Sequence, residues 1–240
     1  QEHLGNMYRL GVGLSQDYVA SVRWTQLAAE QGHAGAQNQL SWMFQQGQGA
    51  PLDDSEAAKW ALRSASQGHT AGQYHLGFLY ENGIGVERDD VQAGKWYLRS
   101  AERGYVTAQY RLGRMHLLGI GVPLSYTEAA KWTRLAAEQW SDDAKVQLGT
   151  LYENGQGVPQ SYADAIRWYL SAASQRHLIA QFHLGRMYDL GRGVSQSDEQ
   201  AIRWYLLSAK QGFADSQYNL GNIYNRIKYD PEAVHNAIKW

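Results

Sequence analysis

Tryptophan stands at Trp24, Trp60, Trp96, Trp132, Trp168, Trp204 and Trp240, each 36 residues after the last. A period held this strictly restricts the chain to stacked copies of one supersecondary unit. Leucine keeps the same register at Leu4, Leu40, Leu76, Leu112, Leu148, Leu184 and Leu220, followed by glycine everywhere except at Ser41. A Gly-x-Gly pair recurs six times, from Gly11/Gly13 and Gly47/Gly49 through Gly83/Gly85, Gly119/Gly121 and Gly155/Gly157 to Gly191/Gly193.

One copy resolves into two helices. Ala108, Leu112, Met115 and Gly119 share a face of a first helix, A, which the glycine pair then ends by adopting left-handed backbone. Asp17, Asp53, Asp89, Ser125, Ser161 and Ser197 form an N-cap column before a second helix, B, where Ala129, Trp132 and Ala136 share a face. Gly32, Gly68, Gly104 and Gly212 stop helix B. In the third copy the spacing predicts helix A over 71–82 and helix B over 90–102. Two such short helices cannot bury their apolar faces alone, so neighbouring copies must stack into one continuous core. The expected fold is an all-α solenoid of 36-residue helix–turn–helix repeats, with boundaries at 1–33, 34–69, 70–105, 106–141, 142–177, 178–213 and 214–240, the outer two partial, all in one solenoid domain.

The residues of the third copy, Gly72-Gln73-Tyr74-His75-Leu76-Gly77-Phe78-Leu79-Tyr80-Glu81-Asn82-Gly83-Ile84-Gly85-Val86 followed by Ala93-Gly94-Lys95-Trp96-Tyr97, resemble the SEL-one-like repeat. They depart from its pattern at Gly72, where the pattern has Ala. The related tetratricopeptide unit runs at about 34 residues and would drift out of phase here. The resemblance implies a right-handed α–α superhelix that works as a non-enzymatic protein-binding scaffold or adaptor. It favours a periplasmic or secreted bacterial location and leaves the cytoplasm open. It implies no chemistry and no cofactor. Cysteine-rich relatives staple each repeat with a disulfide; this chain has no cysteine, which also removes thiolate metal sites and Cys nucleophiles.

Twenty-two basic against 23 acidic residues give a net charge of −1, with no overall drive toward nucleic acid or an anionic membrane. No apolar run reaches membrane-span length. The basic column before each Trp (Arg23, Lys59, Lys95, Lys131, Arg167, Arg203, Lys239) has acids three residues upstream in several copies, as at Glu56, Glu128 and Asp164, which favours a solvated stripe over a nucleic-acid site. The Gly-x-Gly loops follow a helix C-terminus and lack the Gly-Lys-Ser/Thr continuation of a phosphate cradle. His69/His75 and His177/His183 sit six apart, off any shared helical face, so no metal site is expected. No nucleophile motif is present, and the alternative readings are an envelope enzyme acting on peptidoglycan or lactam substrates, or a weak nucleic-acid binder through the Lys/Arg stripe.

The Trp column and Tyr8, Tyr80, Tyr152, Tyr188 and Tyr224 are expected in the core. Outside those ladders stand Trp42, Phe78 and Trp140. Helix A positions three apart, which the repeat leaves free, run His3/Asn6, Gln39/Trp42, His75/Phe78, Arg111/Arg114, Gln147/Thr150, His183/Arg186 and Asn219/Asn222. By resemblance they line the concave groove. Trp42, His75, Phe78, Arg111, Arg114, His183 and Arg186 are therefore the expected contacts to a peptide or protein partner, being aromatic or charged as binding hot spots are. Trp140 and Arg176 replace the glycine that stops helix B, so their turns are expected to differ. In the last copy Ile227–Asp230 replaces the glycine loop and Asp230-Pro231 offers another helix start. Beginning and ending in mid-repeat, the sequence reads as a segment of a longer protein.

Overall fold

The computed structural model describes residues 1–229, and among them there are thirteen α-helices and no strand. The first compact unit, Gln1–Ser125, holds α1 (Glu2–Leu10), α2 (Tyr18–Glu30), α3 (Ala34–Gln46), α4 (Asp54–Ser66), α5 (Thr70–Asn82), α6 (Asp90–Glu102) and α7 (Val106–Leu118). The second begins at Tyr126 and holds α8 (Tyr126–Glu138), α9 (Asp142–Asn154), α10 (Tyr162–Ala173), α11 (Leu178–Leu190), α12 (Asp198–Ala209) and α13 (Ala214–Tyr229). Helices α5 and α6 match the expected spans to within one residue.

Each boundary has a local cause. The Asp89 carboxylate accepts from the Gln92 N–H at 2.9 Å and opens α6. Gly83, at φ 66°, returns its N–H to the Leu79 carbonyl and closes α5. Helix A has a cap that sequence reasoning missed: in His33, His69 and His177 the Nδ1 accepts from the N–H three residues on, at 3.2, 3.1 and 3.4 Å. That role needs neutral imidazole, which explains the histidine column without a metal. Where the glycine pair is missing, nothing stops the helix, and α13 runs on through Ile227 to Tyr229. Asp230-Pro231 and Trp240 lie outside the described residues.

The second glycine of four of the loops sets how copies stack. A Cβ on Gly85 would lie 1.8 Å from the Asp54 carbonyl oxygen at the start of α4, and one on Gly49, Gly121 or Gly157 would lie 2.1, 2.0 or 1.9 Å from the carbonyl of Tyr18, Asp90 or Tyr126. Only hydrogen fits between loop and preceding helix B. Behind this contact the Leu column (Leu40, Leu76, Leu112, Leu148, Leu184) is buried together with Ala36, Ala108, Ala144 and Ala180.

Two expectations about the core need correction. Trp60 and Trp132 are buried, but Trp24, Trp96, Trp168 and Trp204 are only half-buried, as are Tyr8, Tyr80, Tyr152 and Tyr188, and Tyr224 is exposed. The aromatic residues that fill the core are Tyr97, Tyr169 and Tyr205, one position after the Trp, because helix B turns that position toward helix A of its own copy. The turns at Trp140 and Arg176 do not differ either. Both residues take left-handed backbone, φ 74° and 63°, like the glycines they replace. At Trp140 a reason is visible: the indole lies 5.2 Å from the ammonium of Lys145, a buried residue standing where other copies have the buried Gln37, Gln73, Gln109 and Gln181.

Gly85→Ala should therefore cost roughly 3 kcal/mol of stability, from left-handed strain and overpacking together. Arg176→Gly, which removes strain at an exposed site, should stabilise by up to about 1 kcal/mol. Urea unfolding of both variants checks the pair; equal midpoints would contradict the packing described.

Candidate partner-binding face

The helix A position that the repeat leaves free is tied to the helix B residue 14 places earlier. Gln147 Nε2 donates to Thr133 Oγ1 at 2.8 Å and Asn219 Nδ2 to the Tyr205 hydroxyl at 3.2 Å. The His183 ring stacks on Tyr169 with centroids 4.6 Å apart and planes 7° from parallel. Arg111 sits beside Tyr97, its guanidinium 3.6 Å from Glu81. This column joins one copy to the next.

The buried tyrosines carry a second pairing, with an acid 16 residues upstream. The Tyr97 hydroxyl donates to Glu81 at 2.5 Å and that of Tyr169 to Glu153 at 2.9 Å, while Asp189 faces Tyr205 electrostatically. Burial and these carboxylates push all three phenols well above their ordinary range. Glycine 20 residues before each tyrosine makes the room: a Cβ on Gly77, Gly149 or Gly185 would meet the ring at 2.8, 2.5 or 2.5 Å. Glu153, 5% exposed, is the most enclosed of the acids. It receives Arg192 Nη1 at 2.9 Å, with Arg186 Nη2 and His183 Nδ1 each at 3.7 Å.

The second copy solves the same problem with different residues. Ala61 stands where the third, fifth and sixth copies place Tyr97, Tyr169 and Tyr205, and Ser41 stands where they place glycine. The vacant ring position is filled by His75 and Trp42, stacked at 3.7 Å between centroids and 2° between planes. Ser41 Oγ lies 3.2 Å from His75 Nδ1 and donates to the Ala57 carbonyl at 2.6 Å, and Gln45 Oε1 lies 2.8 Å from His75 Nε2. Trp42, half-buried, is thus required by packing as well as available to a partner.

Of the seven expected contact residues, the structure removes His75 from the surface. It is 0% exposed, because the missing tyrosine leaves a space that its ring occupies. His183 is largely covered by its stack on Tyr169, with 14% of its side chain exposed. Arg111 and Arg186 are half-buried and directed at Glu81 and Glu153. Phe78 is half-buried, 6.2 Å from Trp42, and Arg114 is exposed with its guanidinium 6.0 Å from the Tyr110 ring. In the first unit Trp42, Phe78 and Arg114 occupy equivalent positions on α3, α5 and α7, and the structure brings Trp42 and Phe78 together. In the basic column of the helices B, Lys59, Lys131, Arg167 and Arg203 pair with Glu56, Glu128, Asp164 and Glu199 at 2.7, 3.2, 3.0 and 3.8 Å. No described helix is long and apolar enough to cross a membrane.

A model of the Sel1 repeat matches residues 1–33, 34–69, 70–105, 106–139, 142–177, 178–213 and 214–240. The chain belongs to the Sel1 repeat family. Members of this family are generally protein–protein interaction scaffolds, and the solenoid is typically non-enzymatic. Among solved structures, c5321, a protective antigen of uropathogenic Escherichia coli strains with an SLR fold, is 36% identical with a TM-score of 0.88 over 93% of this chain. The match takes in 48% of c5321, so this chain spans about half the length of that relative. A Sel1 repeat protein from Oxalobacter formigenes is 28% identical, with a TM-score of 0.84 over 96% of this chain and 92% of its own. No curated protein matches the chain.

The buried histidines make this Sel1 repeat array sensitive to acid. Burial lowers His75 from the ordinary 6.5 to about 3. Burial also lowers His183 from 6.5 to about 4, with Glu153 opposing the shift and Arg186 adding to it. The unfolded chain takes up these protons near pH 6.5 and the folded chain does not. Stability from this source is complete above pH 6.5 and is lost as pH falls toward 4. Urea unfolding at pH 7 and pH 5 should show a loss of about 1 kcal/mol or more per histidine. His183→Gln should flatten that slope, and an unchanged slope would mean the ring is already charged in the fold.

Proposed function

We propose that the chain is a non-enzymatic scaffold or adaptor that holds a peptide or protein partner along the groove side of the helices A in the first unit. The observation that carries this reading is Arg114, an exposed guanidinium over Tyr110 at the position where other copies carry Asn6, Thr150 and Asn222. It follows Trp42 and Phe78 in register. Inter-repeat packing accounts for His75 and His183 and does not call for Arg114. Phe78 and the open side of Trp42 supply apolar contact, Arg114 supplies direction, and Arg111 supports from a half-buried position against Glu81. Arg186 marks the same column in the second unit. Aromatic residues and arginine are the types that dominate binding energy at interfaces. Sel1 repeats suggest a protein partner.

With a partner captured and identified, Phe78→Ala and Arg114→Ala should each weaken binding by about 1 kcal/mol or more in calorimetry. Arg114→Ala should leave the melting curve in place, which separates binding from folding. Wild-type affinity in the double variant would move the interface to another face.

A further inference from the structure

An open cavity of about 450 Å3 in the first unit lies between α1 and α3, within the roughly 300–1,000 Å3 common for small-ligand pockets. Trp42 borders it, with Gln39, Asn38, Gln46, Arg9 and Glu2 around the rim. The inter-repeat tie next to it is open. Thr25 is the small helix B residue of this copy, and Gln39, 14 places on, should close on it as Gln147 closes on Thr133 at 2.8 Å. Instead Gln39 Nε2 and Thr25 Oγ1 are both buried without a partner. Arg9 Nε and Asn38 Oδ1 beside the same cavity are buried and unpaired as well. Gln39 Nε2 and Arg9 Nε, two donors, and Asn38 Oδ1, an acceptor, thus stand idle on side chains that line one cavity. Idle buried polar groups raise the energy of the empty state relative to one in which a ligand pairs them.

The lining also fixes the kind of ligand. The Glu2 carboxylate is engaged by His33 at 3.1 Å and otherwise balances Arg9, so the site offers no net charge to an ion. An aliphatic side chain would need apolar walls, but beyond Trp42 the apolar lining side chain is Met43, itself 1% exposed. What fits is a neutral molecule with one apolar face and a rim of hydroxyls that both donate and accept. A pyranose has that form: its C–H face carries slight positive charge and meets the negative face of an indole. Trp42 is held for the purpose, since His75 stacks against it at 3.7 Å and fixes its plane. We propose that this cavity binds a neutral sugar residue, with Trp42 as platform and Gln39, Asn38 and Arg9 reading its hydroxyl or acetamido groups. The site meets the protein-binding reading at Trp42 and is otherwise distinct from it, because Phe78 and Arg114 do not line the cavity.

Saturation-transfer NMR on the full chain tests this with N-acetylglucosamine, its β1,4-linked disaccharide, glucose and an N-acetylated tripeptide amide, each at roughly millimolar concentration. The expected result is transfer to ring C–H protons of at least one sugar and none to the peptide. It should fall about fivefold or more in the Asn38→Ala/Gln39→Ala double variant, with the melting curve unchanged, and persist in Phe78→Ala/Arg114→Ala. Trp42→Leu should also abolish it; because that change disturbs the His75 stack, the amide variant decides. A glycoprotein retained only before enzymatic removal of its glycans would assign the sugar to a protein-borne glycan, and binding of free sugars alone would assign a free ligand. Absence of transfer from every sugar, transfer unchanged in the amide variant, or transfer to the peptide alone overturns the proposal.

Discussion

The approach of a loop glycine to the first turn of the preceding helix B is the contact on which the rest of the array depends. With Gly85 against Asp54, and the equivalent glycines against Tyr18, Asp90 and Tyr126, loop and helix meet closer than any side chain allows. That contact ties the loop of one copy to a particular carbonyl of the copy before it. An added residue in the loop would swing the following helix B out of line and open the core on both sides. The absence of any insertion across the four loops that make this contact follows from the geometry.

Much of that was legible in the sequence, because positions that meet the same neighbour in every copy keep the same residue type. The 36-residue period, the caps at Asp17, Asp53, Asp89, Ser161 and Ser197 and the glycine stops are of this kind. The contact residues were legible only in part. Their signal lies in pairs that change together: Glu81 with Tyr97, Glu153 with Tyr169 and Asp189 with Tyr205, against Gln45 with Ala61. A column read down the repeats shows such positions as variable, and variability resembles freedom from packing. The real constraint runs across columns, at separations of 14 and 16 residues. The Trp column misled in the opposite sense, since a large residue held by every copy reads as core even where its edge faces solvent.

The second copy shows how that confusion arises. Ser41, Ala61, Trp42 and His75 look like four separate departures, two of them suited to a binding surface. They are one exchange. Losing the tyrosine at Ala61 removes a ring and its acid-bound hydroxyl, and restoring the volume takes an indole from α3 and an imidazole from α5, the latter with Gln45 Oε1 at its Nε2 and Ser41 Oγ beside its Nδ1. A neutral ring can donate its Nε2–H to Gln45 Oε1, which offsets part of the desolvation penalty that an unpaired ring would carry.

The exchange also changes what the surface can do. A tyrosine in that place would be fully enclosed, as Tyr97 and Tyr169 are. An indole entering from helix A leaves part of itself outside, on the side facing α1. Its plane is already fixed by His75, so contact with it loses little side-chain entropy, whereas an exposed arginine such as Arg114 must give up rotamer freedom to engage. Because His75 keeps its neutral form well below pH 6.5, the platform holds its orientation across the range in which exposed histidines change charge. Packing and recognition therefore use the same ring. A substitution at Ala61 that restored an aromatic side chain would compete with Trp42 for its seat and displace it, altering the surface without touching any residue on it.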